Sequence, residues 1–338
     1  MFAFAVRRIL VGVLMLIAMS LVVFALFFSG PVDAAKYACG QKCNEQAIAA
    51  TARSLGYDKP VYEQWGSFMK GLVNGRDYPL DPKMREAAPE TVTHCAAPCL
   101  GYSVPDQQTV NKEIADAAPI SISLAVVAIF MWLTLGILFG VFAAVVKGSI
   151  ADRGIVGFSL LLYAFPTFFI GALLLNFVSI KWGWYPVPEY VSIADGGIGE
   201  WAVNLFLPAL TLAVFYMAAY VRMSRAFVLE SMSEDYIRTA RAKGLKGRTV
   251  LFKHGLRAAL TPIVSLAGLD IASVLGGAII TEQVFNYYGL GRLAVEASQN
   301  FDLSILVGLV LLLGTVVIIA NIIVDILYAV IDPRVRVA

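Results

Sequence analysis

Ser233-Glu-Asp-Tyr236-Ile-Arg-Thr-Ala240-Arg-Ala-Lys-Gly244 lies inside a charged stretch, 222–257, that holds nine Lys/Arg and separates two apolar runs, 202–221 and 258–281. A charged island of this size between two runs of membrane-spanning length decides the fold class and the sidedness of the chain. Ser233, Glu234 and Asp235 ahead of Tyr236 predict a helix start, because acids near a helix N-terminus meet its positive end. Gly244 predicts the stop. A second helix is expected from about Thr249 into the following apolar run. Ala240, Ala242 and Gly244 are small and closely spaced, so another surface can come near. Arg238, Arg241 and Lys243 offer that surface charge. A loop that only anchored topology would have no need of this ordered Ala-x-Ala-Lys-Gly pattern.

Working outward, a bilayer core takes about 20 apolar helical residues. Six runs qualify: 9–28, 120–146, 155–180, 202–221, 258–281 and 303–327. Pro166, Pro208 and Pro262 fall inside three of them, and spanning helices tolerate this where neighbours re-satisfy the freed backbone groups. Of the 338 residues, 59% are hydrophobic and only 15% charged. A soluble surface needs more charge than this, which excludes soluble enzymes, nucleic-acid binders and disordered chains.

With the N-terminus inside, the inner segments 1–8, 147–154, 222–257 and 328–338 hold 15 Lys/Arg, and the two short outer loops, 181–201 and 282–302, hold 2. The positive-inside rule therefore places both termini in the cytoplasm with six crossings. Arg7-Arg8, an apolar run and Ala34-Ala35 also resemble a cleavable leader. The run exceeds the usual 7–15 residues of such a leader, so it is read as the first span.

The long outer segment, 30–118, is expected to be a small extracytoplasmic domain. Helices are predicted over 44–55 and 61–73, separated by Gly56-Tyr-Asp-Lys-Pro60, and 74–105 is read as irregular. All four cysteines lie here, as Cys39-x3-Cys43 and Cys95-x3-Cys99. An oxidising face favours two structural disulfides, whose pairing sequence does not choose. Zinc held by the four thiolates is the rival reading, since the spacing permits it. His94 adds little, and no metal is expected.

The loop Tyr236-Ile-Arg-Thr-Ala-Arg-Ala-Lys-Gly244 resembles the EAA loop of ABC importer permeases, and most closely the B-type permease subunit of bacterial dipeptide/oligopeptide/nickel importers. Arg7-Arg-Ile-Leu10, Gly183-Trp-Tyr-Pro186, Leu207-Pro-Ala-Leu-Thr-Leu212 and Ala219-Tyr-Val-Arg-Met-Ser-Arg225 agree with it. So do Gly276-Gly-Ala-Ile-Ile-Thr-Glu282, Gly289-Leu-Gly-Arg-Leu293 and Asp332-Pro-Arg-Val-Arg336. His254-Gly-Leu-Arg257, separated from Gly244 by nine residues, matches the peptide-type variant of the loop. The resemblance covers about 1–30 and 115–338. Tyr288 stands where the family often has Pro, and 77–105 looks like an insertion without a family role.

The resemblance implies an all-α membrane protein with the type I importer permease fold. It comprises an N-terminal transmembrane helix (1–29), the Cys-containing outer segment (30–118) and a five-helix permease core (119–338) carrying the coupling loop 222–257. It further implies a pore subunit for short peptides in the bacterial inner membrane, with nickel, haem or another solute as the alternative cargo. The implied partners are a second permease subunit, two ATPase subunits and an extracytoplasmic peptide-binding lipoprotein, besides membrane lipid. Asp235, Tyr236, Arg238, Thr239, Ala240, Arg241, Ala242, Lys243 and Gly244 would couple to an ATPase. The chain has no phosphate-binding Gly-x4-Gly-Lys-Ser/Thr loop and no His-Glu-x2-His pair. ATP and magnesium are therefore expected in the partner subunits, this chain itself holding no cofactor and no catalytic residue. A self-contained secondary transporter or channel should show paired internal halves, and no convincing repeat is visible.

Asp270 falls mid-span, where a carboxylate is costly. It is read as a paired structural acid or as a residue of the translocation pathway. Asn176, Asn204 and Asn321 are read as helix–helix glue, and Gly136-x3-Gly140 as a close-packing seam. Asp325 and Asp332 are expected at the cytoplasmic interface. Glu282 and Arg292 are expected in a solvated outer loop, with a contact to the binding protein as the alternative.

Overall fold

The computed structural model describes residues 2–28, 34–40 and 43–331, so Asp332 and the side chain of Asp325 lie outside the described residues. The chain is mostly helical and divides into two compact units, one made of 1–119 and 288–322 and the other of 120–287 and 323–338.

The first unit contains α1 (Phe2–Phe28), α2 (Ala34–Cys39), α3 (Glu45–Leu55) and α4 (Val61–Asn74). Asn44 caps α3 by accepting the Ala47 N–H at 2.8 Å, and Gly56 ends it at φ 75°, a conformation for which glycine has no steric cost. The stretch 74–105 is not irregular. There β1 (Arg76–Tyr78) pairs antiparallel with β2 (Thr93–Cys95), the short helix α5 (Pro82–Ala87) lying between them, and β3 (Tyr102–Ser103) pairs with β4 (Gln108–Thr109). These two small sheets correct the all-α expectation. Runs of two or three residues carry no period that a sequence could reveal. Disulfides join Cys39 to Cys43 and Cys95 to Cys99. Among the described residues no group of three His, Cys, Asp or Glu is placed to hold a metal. The unit is completed by α13 (Leu290–Gln299) and by α14 (Leu303–Ile331) as far as Ile322, which share a core with Val110 and Ile114.

The second unit takes in α6 (Val110–Val145) from Ile120 onward. It also holds α7 (Ile150–Ala164), α8 (Thr167–Leu173) with its π-helical continuation to Lys181, and α9 (Ile193–Ser231). The remaining elements are α10 (Asp235–Ala242), the single turn α11 (Gly247–Thr249) and α12 (Leu256–Phe285). Its core is built from Leu124, Ala128, Trp132, Leu212, Tyr220, Ile263 and their neighbours. Gly136 and Gly140 form a seam on α6. A Cβ on Gly140 would stand 2.5 Å from the Ser224 Cβ and 2.7 Å from the Val221 carbonyl oxygen, and one on Gly136 2.6 Å from the Tyr220 Cβ. Only glycine lets α6 and α9 approach so closely.

Among the described residues, four helices are long and apolar enough to cross a membrane: Val6–Phe28, Val110–Val145, Ile193–Ser231 and Leu303–Ile323. The run 258–281 falls within the 30-residue helix α12. The run 155–180 is not a straight span. It breaks by 100° between α7 and α8, at Phe165 (φ −92°, ψ 139°) and Pro166 (φ −61°, ψ 143°). Proline disfavours helical geometry in its predecessor and supplies no N–H, and here neither Phe165 nor Pro166 is helical. Pro208 is accommodated differently. Its missing N–H frees the Asn204 carbonyl four residues back, and the buried Tyr287 hydroxyl donates to that oxygen at 2.8 Å. The Asn204 side chain accepts the Glu189 N–H at 3.0 Å and donates to the Glu200 carbonyl, so it ties a loop to α9 rather than gluing two helices.

Candidate functional site

Between 202 and 231 there is no glycine and one proline, so α9 continues through Arg222 and Arg225 to Ser231. The charged stretch therefore begins as helix, not loop. A turn follows, with the Ser233 hydroxyl donating to the Glu230 carbonyl at 2.7 Å. Glu234 occupies the N-cap of α10 without a side-chain cap bond, and Asp235 stands in the first turn, where its charge suits the helix dipole.

The eight residues of α10 split cleanly by face. Ile237 and Ala240 are buried against Val250 and Met232. Asp235, Tyr236, Arg238, Thr239, Arg241 and Ala242 are exposed, as are Lys243 and Gly244 beyond the helix end. An isolated helix this short is unstable in water, so its one apolar anchor and its hydroxyl tether hold it. The tether is the Tyr236 hydroxyl, 2.8 Å from Ser231 Oγ, which in turn donates to the Gly255 carbonyl at 2.9 Å. Arg238 and Asp235 stand 3.4 Å apart on the exposed face, a pair worth little in water. Gly244 turns the chain at φ 75°, and a Cβ there would meet nothing within 4 Å. The chain itself thus leaves the space beyond Gly244 open.

The descent into α12 is a π-helical stretch, Val250–Gly255, with Gly255 packed under the Met232 sulfur. Met232 and Ser231 thus join α10 to α9, and Val250 and Gly255 join it to α12.

Asp152, at the start of α7, braces the same region. It accepts Arg225 Nε at 2.6 Å and Nη2 at 2.8 Å, and its Oδ2 also accepts the Gly148 N–H at 2.9 Å. The sequence reading missed this pair. Ser149-x-x-Asp152 has capping-box spacing, and the Ser149 hydroxyl does accept the Asp152 N–H, so a signal was present.

Asp270 lies deeper in α12. The Tyr220 hydroxyl donates to it at 2.7 Å. Tyr220 and Tyr216 flank the buried Trp132, whose ring stacks on Tyr216 at 4.5 Å. Glu282 is not in a solvated loop: α12 continues to Phe285, and Glu282 is fully buried with the Ser121 hydroxyl donating to it at 2.5 Å. Nor does Arg292 lie free in solvent. It pairs with Glu296 at 2.7 Å and stacks 3.5 Å over Tyr288.

The sequence pattern of the binding-protein-dependent transport system inner membrane component matches residues 136–337, and that of the N-terminal part of such components matches 1–125. The chain is 33% identical over 333 residues to the probable peptide ABC transporter permease protein y4tP of Sinorhizobium fredii, covering 98% of this chain and 99% of that one. It is 33% identical over 359 residues to the dipeptide transport system permease protein DppB of Escherichia coli, with 99% of each chain covered. A solved structure of the inward-facing MetNI methionine ABC transporter aligns with 63% of this chain and 94% of its own at 18% identity and a TM-score of 0.48. The matched segments take in the helix α10 and the seam at Gly140, and with relatives aligned end to end the chain belongs to the family of inner membrane components of binding-protein-dependent transport systems.

Proposed function

We propose that this chain is one of two pore-forming permease subunits of an ATP-driven importer of short peptides, with six crossings and both termini in the cytoplasm. The observation that carries the reading is the exposed, small-residue end of α10, anchored by Ile237, Ala240 and the Tyr236 hydroxyl and left open beyond Gly244. Membership of the family and relatives named for peptide and dipeptide transport support it.

In this reading a second, similar permease completes the pore, and an external binding lipoprotein delivers the peptide. Two separate ATPase subunits hold ATP and magnesium. Ala242 and Gly244, at the exposed end of α10 beyond the buried Ala240, seat in a groove on one ATPase, while Tyr236, Arg238, Thr239, Arg241, Lys243 and Asp235 surround the contact. Closure of the ATPases moves α10 as a rigid body. Met232 and Gly255 pass that movement to α9 and α12, and the pathway between them, with Asp270 as its acidic candidate, changes its accessible side.

The test is reconstitution of this chain with its partner permease, ATPases and binding protein in sealed vesicles. Uptake of a labelled dipeptide that requires ATP and all four kinds of subunit is the expected result. Uptake by the purified chain alone would overturn the reading. Uptake of nickel or haem in place of peptide would reassign the cargo and leave the coupling intact.

A further inference from the structure

We infer that the first unit contains a small anion site centred on Arg76, shaped for the carboxylate of a molecule no larger than a few heavy atoms. The site is a cavity of about 50 Å³ whose lining includes Arg76, Tyr57, Ser304, Gln64, Phe68 and Tyr78. A buried water takes roughly 10–15 Å³ of such volume, so there is room for a carboxylate and a short stub of carbon.

Two observations point to an anion. The Arg76 guanidinium lies between aromatic rings, 5.3 Å from the Phe68 centroid and 5.5 Å from that of Tyr78. One Nη donates to the Cys99 carbonyl at 3.3 Å, while Nε is buried without a partner. Among the described residues no carboxylate forms an ion pair with it. A partly desolvated cation without a counter-charge is costly, and an anion relieves that cost. Asp302 of the same unit directs its carboxylate elsewhere, accepting the Ser103 hydroxyl at 2.6 Å and the Ile305 N–H at 3.2 Å, and makes no ion pair with Arg76.

The second observation is the hydroxyl pair. Tyr57 Oη and Ser304 Oγ are 3.0 Å apart. Two hydroxyls that share one hydrogen bond keep one O–H to donate elsewhere. The same aromatic rings lower the local dielectric and strengthen any charge-assisted bond to the guanidinium. A planar fork of donors and an adjacent hydroxyl match a carboxylate better than a spherical halide.

The test uses the full chain in phosphatidylcholine nanodiscs, with acetate as the probe and acetamide as its neutral isostere, read by saturation-transfer NMR. Acetate should bind saturably, and acetamide about tenfold or more weakly. Arg76→Gln should abolish acetate binding. Should that variant fail to fold, Tyr57→Phe and Ser304→Ala should each weaken binding severalfold while keeping the wild-type melting profile. Equal binding of acetate and acetamide, no saturable binding, or binding unchanged in Arg76→Gln would overturn the inference. Repeating the titration in phosphatidylglycerol nanodiscs separates the sources. Unchanged acetate binding supports a soluble carboxylate, whereas loss of it would assign the site to a lipid phosphate and overturn the carboxylate reading.

Discussion

Arg225 grips Asp152 with two parallel bonds, Nε to Oδ1 at 2.6 Å and Nη2 to Oδ2 at 2.8 Å, and so ties α9 to the first turn of α7 six residues before α9 ends. The carboxylate side chain is 5% exposed. Planar, bidentate pairing of this kind is particular to arginine. Arg225→Lys should therefore lower the melting temperature of the detergent-solubilised chain, and Arg225→Gln should lower it further because the acid is left without a cation. The double variant Asp152→Asn/Arg225→Gln should recover part of the loss. Thermal melts of the four proteins check this, and a single variant as stable as the parent would refute it.

Tyr287 makes a separate stability prediction. Its hydroxyl satisfies the Asn204 carbonyl that Pro208 releases. Tyr287→Phe keeps the ring and removes only that donor, leaving a buried acceptor without a partner. The expected cost is about 1 kcal/mol, or a fall in Tm of roughly 2–4 °C. Pro208→Ala restores an N–H to the helix, so in that background Tyr287→Phe should cost much less. Equal losses in both backgrounds would refute the link.

These two contacts show which parts of the molecule were legible beforehand. Helix α10 and its glycine stop were readable because an eight-residue helix with acids at one end and glycine past the other is a local pattern. Gly136 and Gly140 were readable as a seam, though not as the seam with α9. The break at Phe165-Pro166 was not readable. A proline in an apolar run can be absorbed, as Pro208 is, or can end the helix, and tertiary partners such as Tyr287 decide which. Glu282 was misplaced for a related reason. Counting apolar residues ended the helix at 281, whereas Ser121, 161 residues away in sequence, supplies the hydrogen bond that lets the acid remain inside.

Asp302 gives the first unit a pH dependence. Burial raises its carboxyl above the ordinary carboxylate value, more than the bonds from Ser103 and the Ile305 amide lower it. A raised carboxyl binds its proton more tightly folded than unfolded. Its favourable contribution is thus present below the ordinary value near 4 and is lost as pH rises through the folded value. Asp302→Asn mimics the protonated form. Relative to wild type, the variant should gain more melting temperature at pH 7.5 than at pH 4.5. An equal difference at both pH values would exclude the effect.

Asp270→Asn separates pathway from scaffold. The amide oxygen can still accept from the Tyr220 hydroxyl, which now stands 2.7 Å from Oδ2, so folding should be little changed. Loss of the charge should slow peptide uptake severalfold if the acid faces the moving solute. Vesicle uptake with unaltered ATP hydrolysis is the signature to look for. Uptake equal to wild type would make Asp270 a structural acid only.

Gly244 offers the sharpest test of coupling, because its own chain gives it nothing to clash with. A Cβ there meets only open space, and the sole internal cost is the positive φ of 75°. That cost is about 1–2 kcal/mol for most residues and less for asparagine, which tolerates the left-handed region. Gly244→Asn, Gly244→Ala and Gly244→Leu therefore differ little in what they do to this chain but greatly in what they present to a partner. If α10 seats in an ATPase groove, peptide-stimulated ATP hydrolysis should fall in the order of side-chain bulk, with Gly244→Leu nearly inactive, while melting temperatures of the isolated chain stay within a few degrees. If activity instead followed backbone strain, Gly244→Ala would be worse than Gly244→Asn despite its smaller side chain, and the glycine would be serving the turn rather than the contact.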